Sequence, residues 1–208
     1  MGSAPVSDHV ADPLDHVYLP DTVRTAVKIL VVGHFAVGKT TFVGTLSEIK
    51  PLRTEETMTQ AGALVDDLAG SPDKTTTTVA LDFGRLTLSE HMVLYLFGAP
   101  GQKRFTELWK DMMYGALGAL VLADTRRLDQ SFDVMGLLED HGMPYAVAVN
   151  QFEGAPVFPE AEVREALDLL PETPLVTCDA RDAGSSTKAL IALVEHLQTR
   201  TAPAQEQI

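Results

Sequence analysis

Cysteine is almost absent from this 208-residue chain, because Cys178 is the only one, so an internal disulfide is excluded and a reducing compartment fits. Basic residues are also scarce: 16 Lys and Arg face 29 Asp and Glu, which leaves a net charge of −13. That acidity argues against a general nucleic-acid-binding surface, which needs clustered positive charge. No apolar run reaches the roughly 18 residues that a membrane helix requires. These shortages favour a cytoplasmic protein that binds no nucleic acid and does not insert into a membrane.

The hydrophobic share of 45% is enough for one substantial core. Residues 1–23 contain Pro5, Pro13 and Pro20 and are predicted to form a flexible N-terminal arm. The domain is expected to span residues 24–200, and residues 201–208 to form a flexible tail. The chain is therefore interpreted as one domain between two short extensions.

Apolar runs and amphipathic stretches alternate along the predicted domain. Strands are predicted at 26–32, at 79–83 with 86–88 (one strand broken near Gly84), and at 91–97, 119–123, 145–149 and 175–177. Helices are predicted at 39–49, 103–114, 131–140, 160–170 and 185–199. Residues 50–77 are interpreted as a long loop that is functional or disordered. The alternation predicts a three-layer α/β/α domain with a mostly parallel, six-stranded sheet.

The strongest motif lies between the first predicted strand and the first predicted helix. Residues 33–40 read GHFAVGKT and match G-x-x-x-x-G-K-[ST] at every fixed position. Glycines allow the backbone to wrap a phosphate, Lys39 is expected to reach the β- and γ-phosphates, and Thr40 is expected to bind Mg²⁺. The motif predicts a nucleoside triphosphate site. The predicted phosphate-binding residues are Gly33, Phe35, Ala36, Val37, Gly38, Lys39, Thr40 and Thr41.

A second motif bears on the base of the nucleotide. Asn150-Gln151-Phe152-Glu153 follows a strand where GTPases carry N-K-x-D, and a carboxylate there can accept hydrogen bonds from guanine N1–H and the 2-amino group. Residues 178–181 (CDAR) stand where such enzymes have S-A-K, with the Ala180 N–H able to contact guanine O6. The predicted guanine-binding residues are Asn150, Gln151, Glu153, Ala180 and Arg181. The alternative interpretation is a turn that begins at an asparagine and exposes a glutamate.

A third motif, residues 97–102 (FGAPGQ), resembles the GTPase pattern D-x-x-G-Q. Gly101 is expected at the γ-phosphate, and Gln102 is the predicted catalytic residue because it can orient the attacking water. Gly98, however, stands where the pattern has its acid. Metal binding is therefore expected to rest on Thr40 and on a switch threonine, for which Thr78 is preferred to Thr77.

Other candidate residues have plainer interpretations. Thr78 could simply favour entry into a strand, and Asp124 is interpreted as structural rather than as the metal-side acid. Trp109, Met112 and Met113 are interpreted as core residues rather than as a partner-binding surface. The histidines show no spacing typical of a zinc site.

Segments 33–41, 75–85, 96–105, 121–127, 147–153 and 177–182 together resemble the CvnD-type small GTPases of actinobacterial conservons, over residues 24–200. More distantly the chain is similar to the bacterial polarity switch MglA and to Arf- and Ras-like GTPases. MglA-like proteins also lack the usual acid before P-G-Q, so by this resemblance Gly98 does not imply an inactive site.

The resemblance implies a Ras-like P-loop domain that binds Mg²⁺ with GTP or GDP and hydrolyses GTP slowly as a bacterial signalling switch. It also implies a Roadblock-type partner and a membrane sensor kinase, which would recruit the protein to the inner face of the membrane. Two alternatives remain open at this point: an adenine-specific P-loop enzyme such as a kinase, and a nucleotide-binding scaffold that does not hydrolyse its ligand.

Overall fold

Strands and helices alternate along the part of the chain that the computed structural model describes, residues 19–50, 52–58, 77–100 and 106–201; for 52–58, 77–80, 106–107 and 201 the description covers the backbone alone. The strands are β1 (Thr25–Val32), β2 (Leu52–Met58), β3 (Thr77–Ser89), β4 (Met92–Gly98), β5 (Gly118–Ala123), β6 (Tyr145–Asn150) and β7 (Leu175–Cys178). The helices are α1 (Lys39–Leu46), α2 (Thr106–Met113), α3 (Phe132–Asp140), α4 (Glu160–Ala166) and α5 (Ala183–Thr201). The predicted arm and tail lie largely outside the described residues.

The strands form one sheet in the order β2-β3-β4-β1-β5-β6-β7. Pairing is parallel from β4 through β1, β5 and β6 to β7, whereas β3 is antiparallel to both β2 and β4. The expected mostly parallel α/β architecture is thereby confirmed, with one strand more than the six predicted.

The additional strand, β2, lies inside the segment that was predicted to be a loop. Its sequence, LRTEETM, has little apolar content, and among the described strands it lies at the edge of the sheet and pairs with β3 alone. Charged residues are typical of edge strands, which they protect from further pairing. The loop interpretation is wrong for residues 52–58, because an edge strand lacks the hydrophobic pattern used to recognise strands. Residues 59–76 of the predicted loop lie outside the described part.

Alternating residues of β1 build a core on each face of the sheet. Leu30 and Val32 pack with residues from α2, α3 and α4 on one face, and Ile29 and Val31 pack with residues from α1 and α5 on the other. Strands β5 and β6 are buried along their whole length, as central parallel strands covered on both faces should be. The result is the expected three-layer arrangement.

Strand β3 runs without a break through the position where an interruption was predicted. Gly84 lies within the strand, and a side chain there would place its Cβ 2.8 Å from Val43 Cγ1 on α1. Glycine is thus required for close helix-to-sheet packing rather than for a break, and the predicted break is wrong. The ladder instead shifts its register between Thr87 and Ser89.

Other differences concern the ends of helices and the buried residues of α2. Helix α1 ends at Leu46, and α4 ends at Ala166 shortly before Asp168, which has a φ of 51°. Three residues of α2 are buried on the face of the sheet to which Leu30 and Val32 belong, which confirms the core interpretation of Trp109, Met112 and Met113.

Among the described residues, no helix combines the length and the apolar character needed to cross a bilayer.

Candidate functional site

The loop between β1 and α1 has the backbone shape of an anion-binding site. Gly33, Ala36 and Gly38 have positive φ angles of 137°, 64° and 105°. Alternation of left-handed residues with ordinary ones turns successive N–H groups toward a common point, and the N-terminus of α1 adds positive potential. A side chain at position 33 would place its Cβ 2.4 Å from the carbonyl oxygen of Leu122, so only glycine fits there.

Lys39 begins α1 and folds back over this loop. Its Nζ donates hydrogen bonds to the carbonyl oxygens of Gly33 and His34, at 2.9 and 2.7 Å. Burial lowers the pKa of Lys39 to about 8, and the negative charge of Asp82 opposes that shift. The ammonium group thus lies at the mouth of the phosphate loop, where phosphate oxygens can replace the two carbonyl groups as its partners.

Sequence reasoning missed Asp82, which lies on β3 and contacts the next residue of the motif. The Thr40 hydroxyl donates a 2.5 Å hydrogen bond to Asp82 Oδ2, and Asp82 is buried. The available signal was an acidic residue in the otherwise mostly apolar run VALDF. A buried carboxylate needs compensating partners, so its presence there should have indicated a polar site.

Asn150, at the end of β6, joins the phosphate loop to the predicted base-binding segment. Its Nδ2 donates to the carbonyl oxygen of Val37 at 2.9 Å, and its Oδ1 accepts from the N–H of Ala180 at 3.0 Å. The Ala180 N–H, predicted to contact guanine O6, therefore bonds Asn150 in this structure. The structure thus brings Asn150, Ala180 and the phosphate loop together.

Gly38 provides a test of this junction. Its φ of 105° disfavours any side chain, and a Cβ would lie 2.5 Å from Asn150 Nδ2. Gly38→Ala is therefore expected to lower the free energy of unfolding by about 1–3 kcal/mol, measured by denaturant titration without nucleotide.

Gly136→Ala is the matched control for that variant. Gly136 lies in α3, and a Cβ there would meet nothing within 4 Å. Because alanine favours helices over glycine by about 1 kcal/mol, this variant should be at least as stable as the parent. Equal stability of Gly38→Ala and the parent would contradict the described junction.

The remaining predicted base-binding residues are exposed beside this junction. Gln151, Glu153 and Arg181 all reach solvent. Arg181 bonds the carboxylate of Asp179 through Nε and Nη2, at 2.9 and 2.8 Å, and these bonds raise its pKa, to which the charge of Glu153 adds. The predicted base end of the site is thus a charged rim, where Glu153 presents an exposed carboxylate to an incoming ligand.

Asp124 and Arg126, just beyond the end of β5, contact the predicted base-binding segment. Arg126 bonds both carboxylate oxygens of the buried Asp124, and its guanidinium lies 4.1 Å from the centre of the Phe152 ring. Burial would raise the pKa of Asp124, but the bonds and charge of Arg126 outweigh it and lower that pKa. This arrangement fits the structural role predicted for Asp124.

The other predicted site residues differ in where they lie. Thr78 lies within β3 opposite Thr57, not before the strand, and is four residues from Asp82, about 13 Å along an extended chain. Phe35 is 70% exposed, and Thr41 is also exposed on α1. Gly101 and Gln102 lie outside the described residues.

Comparison with known proteins agrees with this geometry. Residues 31–200 match the model of a family described as conserved hypothetical ATP-binding proteins. An uncharacterised protein of Methanocaldococcus jannaschii is 29% identical over 130 residues, which cover 62% of this chain and 71% of that protein.

Solved structures with a similar fold include two G domains of FeoB iron transporters. The T. maritima domain is 19% identical with a TM-score of 0.56 and covers 82% of this chain and 98% of its own. The Methanococcus jannaschii domain is 12% identical with a TM-score of 0.55, covering 84% and 99%. At these identities the likeness concerns the fold, which is that of a P-loop G domain.

Proposed function

Because the chain belongs to the family of conserved hypothetical ATP-binding proteins, we propose that its phosphate loop binds a nucleotide and, more specifically, that the nucleotide is GTP or GDP. In this proposal the protein is a molecular switch of the CvnD type, and residues 24–200 form its GTPase domain. It binds Mg²⁺ with the nucleotide and hydrolyses GTP slowly.

The junction at Asn150 is the observation that carries the choice of guanine. Asn150 ties the strand that precedes Glu153 to both the phosphate loop and Ala180. The junction thus sets the segment that begins at Asn150 beside the phosphate loop. In this proposal the Glu153 carboxylate of that segment reads the base, because a carboxylate accepts two N–H groups that guanine has and adenine lacks. The similarity in fold to G domains supports the same choice.

ATP is the second candidate, favoured by the description of the matching family. Gln151 also stands where GTPases have a lysine whose stem covers the base. If ATP is the ligand, the Glu153 carboxylate has no adenine group in position to donate to it. Base preference therefore separates the two candidates directly.

The residues present fit a magnesium ion. Mg²⁺ prefers hard oxygen ligands and keeps several waters, and the Thr40 hydroxyl with the nearby Asp82 carboxylate supplies such oxygens beside the phosphate loop. When bound, the ion would neutralise charge on the phosphate oxygens. Thr78 stays a predicted magnesium ligand in this proposal. It lies near the start of β3, four residues before Asp82, and would have to move toward Thr40 to reach the ion.

The proposed partners and location rest on the resemblance to CvnD-type proteins. A Roadblock-type protein would bind the GTP state, and a membrane sensor kinase nearby would recruit the complex from the cytoplasm to the inner face of the membrane. A scaffold that binds nucleotide without hydrolysis would use the same partners, and a hydrolysis assay distinguishes it from a switch.

Replacing Glu153 by alanine tests the base assignment. The variant should bind GTP and GDP about tenfold to a hundredfold more weakly, because hydrogen bonds to a charged acceptor contribute about 1.5–3 kcal/mol. Affinity for pyrophosphate should not change, since the phosphate loop is untouched. Calorimetric titration with GTP, GDP, ATP and pyrophosphate measures all of these effects.

Glu195→Ala is the control, because Glu195 is exposed on α5 in its C-terminal half. It should bind each ligand as the parent does. An unchanged preference for GTP over ATP in Glu153→Ala would mean that Glu153 does not read the base.

A further inference from the structure

We propose that Asp82 supplies, from strand β3, the magnesium-side carboxylate that Gly98 fails to supply from β4. This inference rests on the proposed nucleotide-binding function and deepens it, because it assigns the metal-side acid to a residue that the GTPase pattern does not contain.

The register of the sheet places the two positions side by side. Asp82 pairs with Gly98 in the antiparallel β3–β4 ladder, and residues directly opposite in such a ladder project from the same face. A Cβ at position 98 would lie 2.9 Å from Asp82 Cβ and 3.2 Å from Asp82 Oδ2. The Asp82 carboxylate therefore occupies the space that a side chain at position 98 would enter.

This crowding explains the glycine as well as the acid. An aspartate at position 98 together with Asp82 would force two carboxylates and two Cβ atoms into one space. Like charges at that distance repel strongly in a buried site. The chain thus carries one acid at this pair of positions, and it carries it on β3.

The contact with Thr40 shows what the carboxylate does. The Thr40 hydroxyl gives its hydrogen to Asp82 Oδ2, so its lone pairs remain free to face a cation. Asp82 also offers negative charge close to Lys39, on the side of the loop where phosphates would lie. A carboxylate beside a bound Mg²⁺ orients the hydroxyl ligand and adds negative charge, and Asp82 can do both.

The rest of the site cannot hold the ion by protein groups alone. Within the described residues no three His, Cys, Asp or Glu side chains cluster closely enough to hold a metal ion. Mg²⁺ commonly binds through one or two carboxylates together with phosphate oxygens and waters. Removing the single carboxylate should therefore weaken the coupling between metal and nucleotide, rather than nucleotide binding itself.

The experiment measures that coupling in the full chain. The dissociation constant of GDP is measured in excess MgCl₂ and again in EDTA. The coupling is the dissociation constant in EDTA divided by the dissociation constant in MgCl₂. For the parent we expect a ratio of about 5–150, the usual range for two coupled ligands. For Asp82→Asn we expect a ratio within about twofold of one, since the variant removes the negative charge beside the Thr40 hydroxyl.

Asp82→Asn also separates a metal-side role from a structural one. The amide oxygen of asparagine still accepts the hydrogen bond from Thr40, so a residue that only holds Thr40 would keep the parent's coupling. The double variant Asp82→Gly with Gly98→Asp moves the carboxylate to β4 and should recover much of the ratio. Asp140→Asn, at the exposed end of α3, is the control and should leave the ratio unchanged.

Each outcome decides the proposal. A parent-like ratio in Asp82→Asn overturns it. If the parent binds ADP and not GDP, the guanine assignment fails, and the same two titrations with ADP decide the role of Asp82. If the parent binds neither nucleotide, both the proposed function and the role of Asp82 are overturned.

Discussion

Replacing Lys39 by alanine is expected to weaken GTP binding at least about a hundredfold, because a charge-assisted contact to two phosphates is lost. In the structure the Lys39 ammonium bonds two carbonyl oxygens of the phosphate loop. Burial disfavours its charge and lowers its pKa to about 8. The residue therefore contributes little to folding, and the variant should unfold at nearly the parent's temperature.

Calorimetric titration with GTP and GDP checks this expectation, with thermal unfolding run in parallel. Lys50→Ala is the control, since Lys50 is exposed beyond the end of α1. Equal GTP affinity in Lys39→Ala and the parent would remove the phosphate site from this loop. A loss of affinity accompanied by unfolding would instead show that Lys39 is needed for the fold.

Hydrolysis of GTP by the isolated protein is expected to be slow, on the order of 10⁻⁴ to 10⁻³ per second, as in GTPases without an arginine at the γ-phosphate. Arg126 and Arg181, the arginines of the base-binding region, are both bonded to carboxylates there. Phe35, which the loop presents to solvent, is bulky and carries no charge. Single-turnover hydrolysis measures the rate.

A supplied arginine can accelerate such reactions by roughly 10³ to 10⁵. We expect the Roadblock-type partner to accelerate hydrolysis, either with such a group or by holding the segment that contains Gln102. Gln102→Ala should then remove most of the gain, because no other residue is predicted to orient the attacking water. Acceleration that survives the substitution would remove Gln102 from the catalytic residues, and an unassisted rate above about one per second would show that the site is already complete.

Local patterns sufficed for the elements that lie in the centre of the sheet. Strands β5 and β6 are short, apolar and completely buried, so their sequences alone identify them. The edge strand β2 was missed because its sequence, LRTEETM, lacks the apolar pattern that identifies buried strands. Thr78 was placed directly before the strand rather than within it for a related reason, since the length of β3 depends on pairing with β2.

Asp82 shows most clearly what a linear motif omits. The GTPase pattern D-x-x-G-Q places its acid three residues before its glycine, so Gly98 indicates a missing acid when the sequence is read alone. Asp82 precedes Gly98 by 16 positions, and only the β3–β4 register brings the two together.

The sequence by itself determined the α/β class and the phosphate loop, because each depends on residues that are close together in the chain. The tertiary structure decided which carboxylate faces Thr40, that Asn150 joins the phosphate loop to Ala180, and that Asp124 is bound by Arg126. The Thr40 and Asn150 contacts join residues far apart in the chain, and the register of the strands is fixed by the packing of two cores rather than by any local pattern.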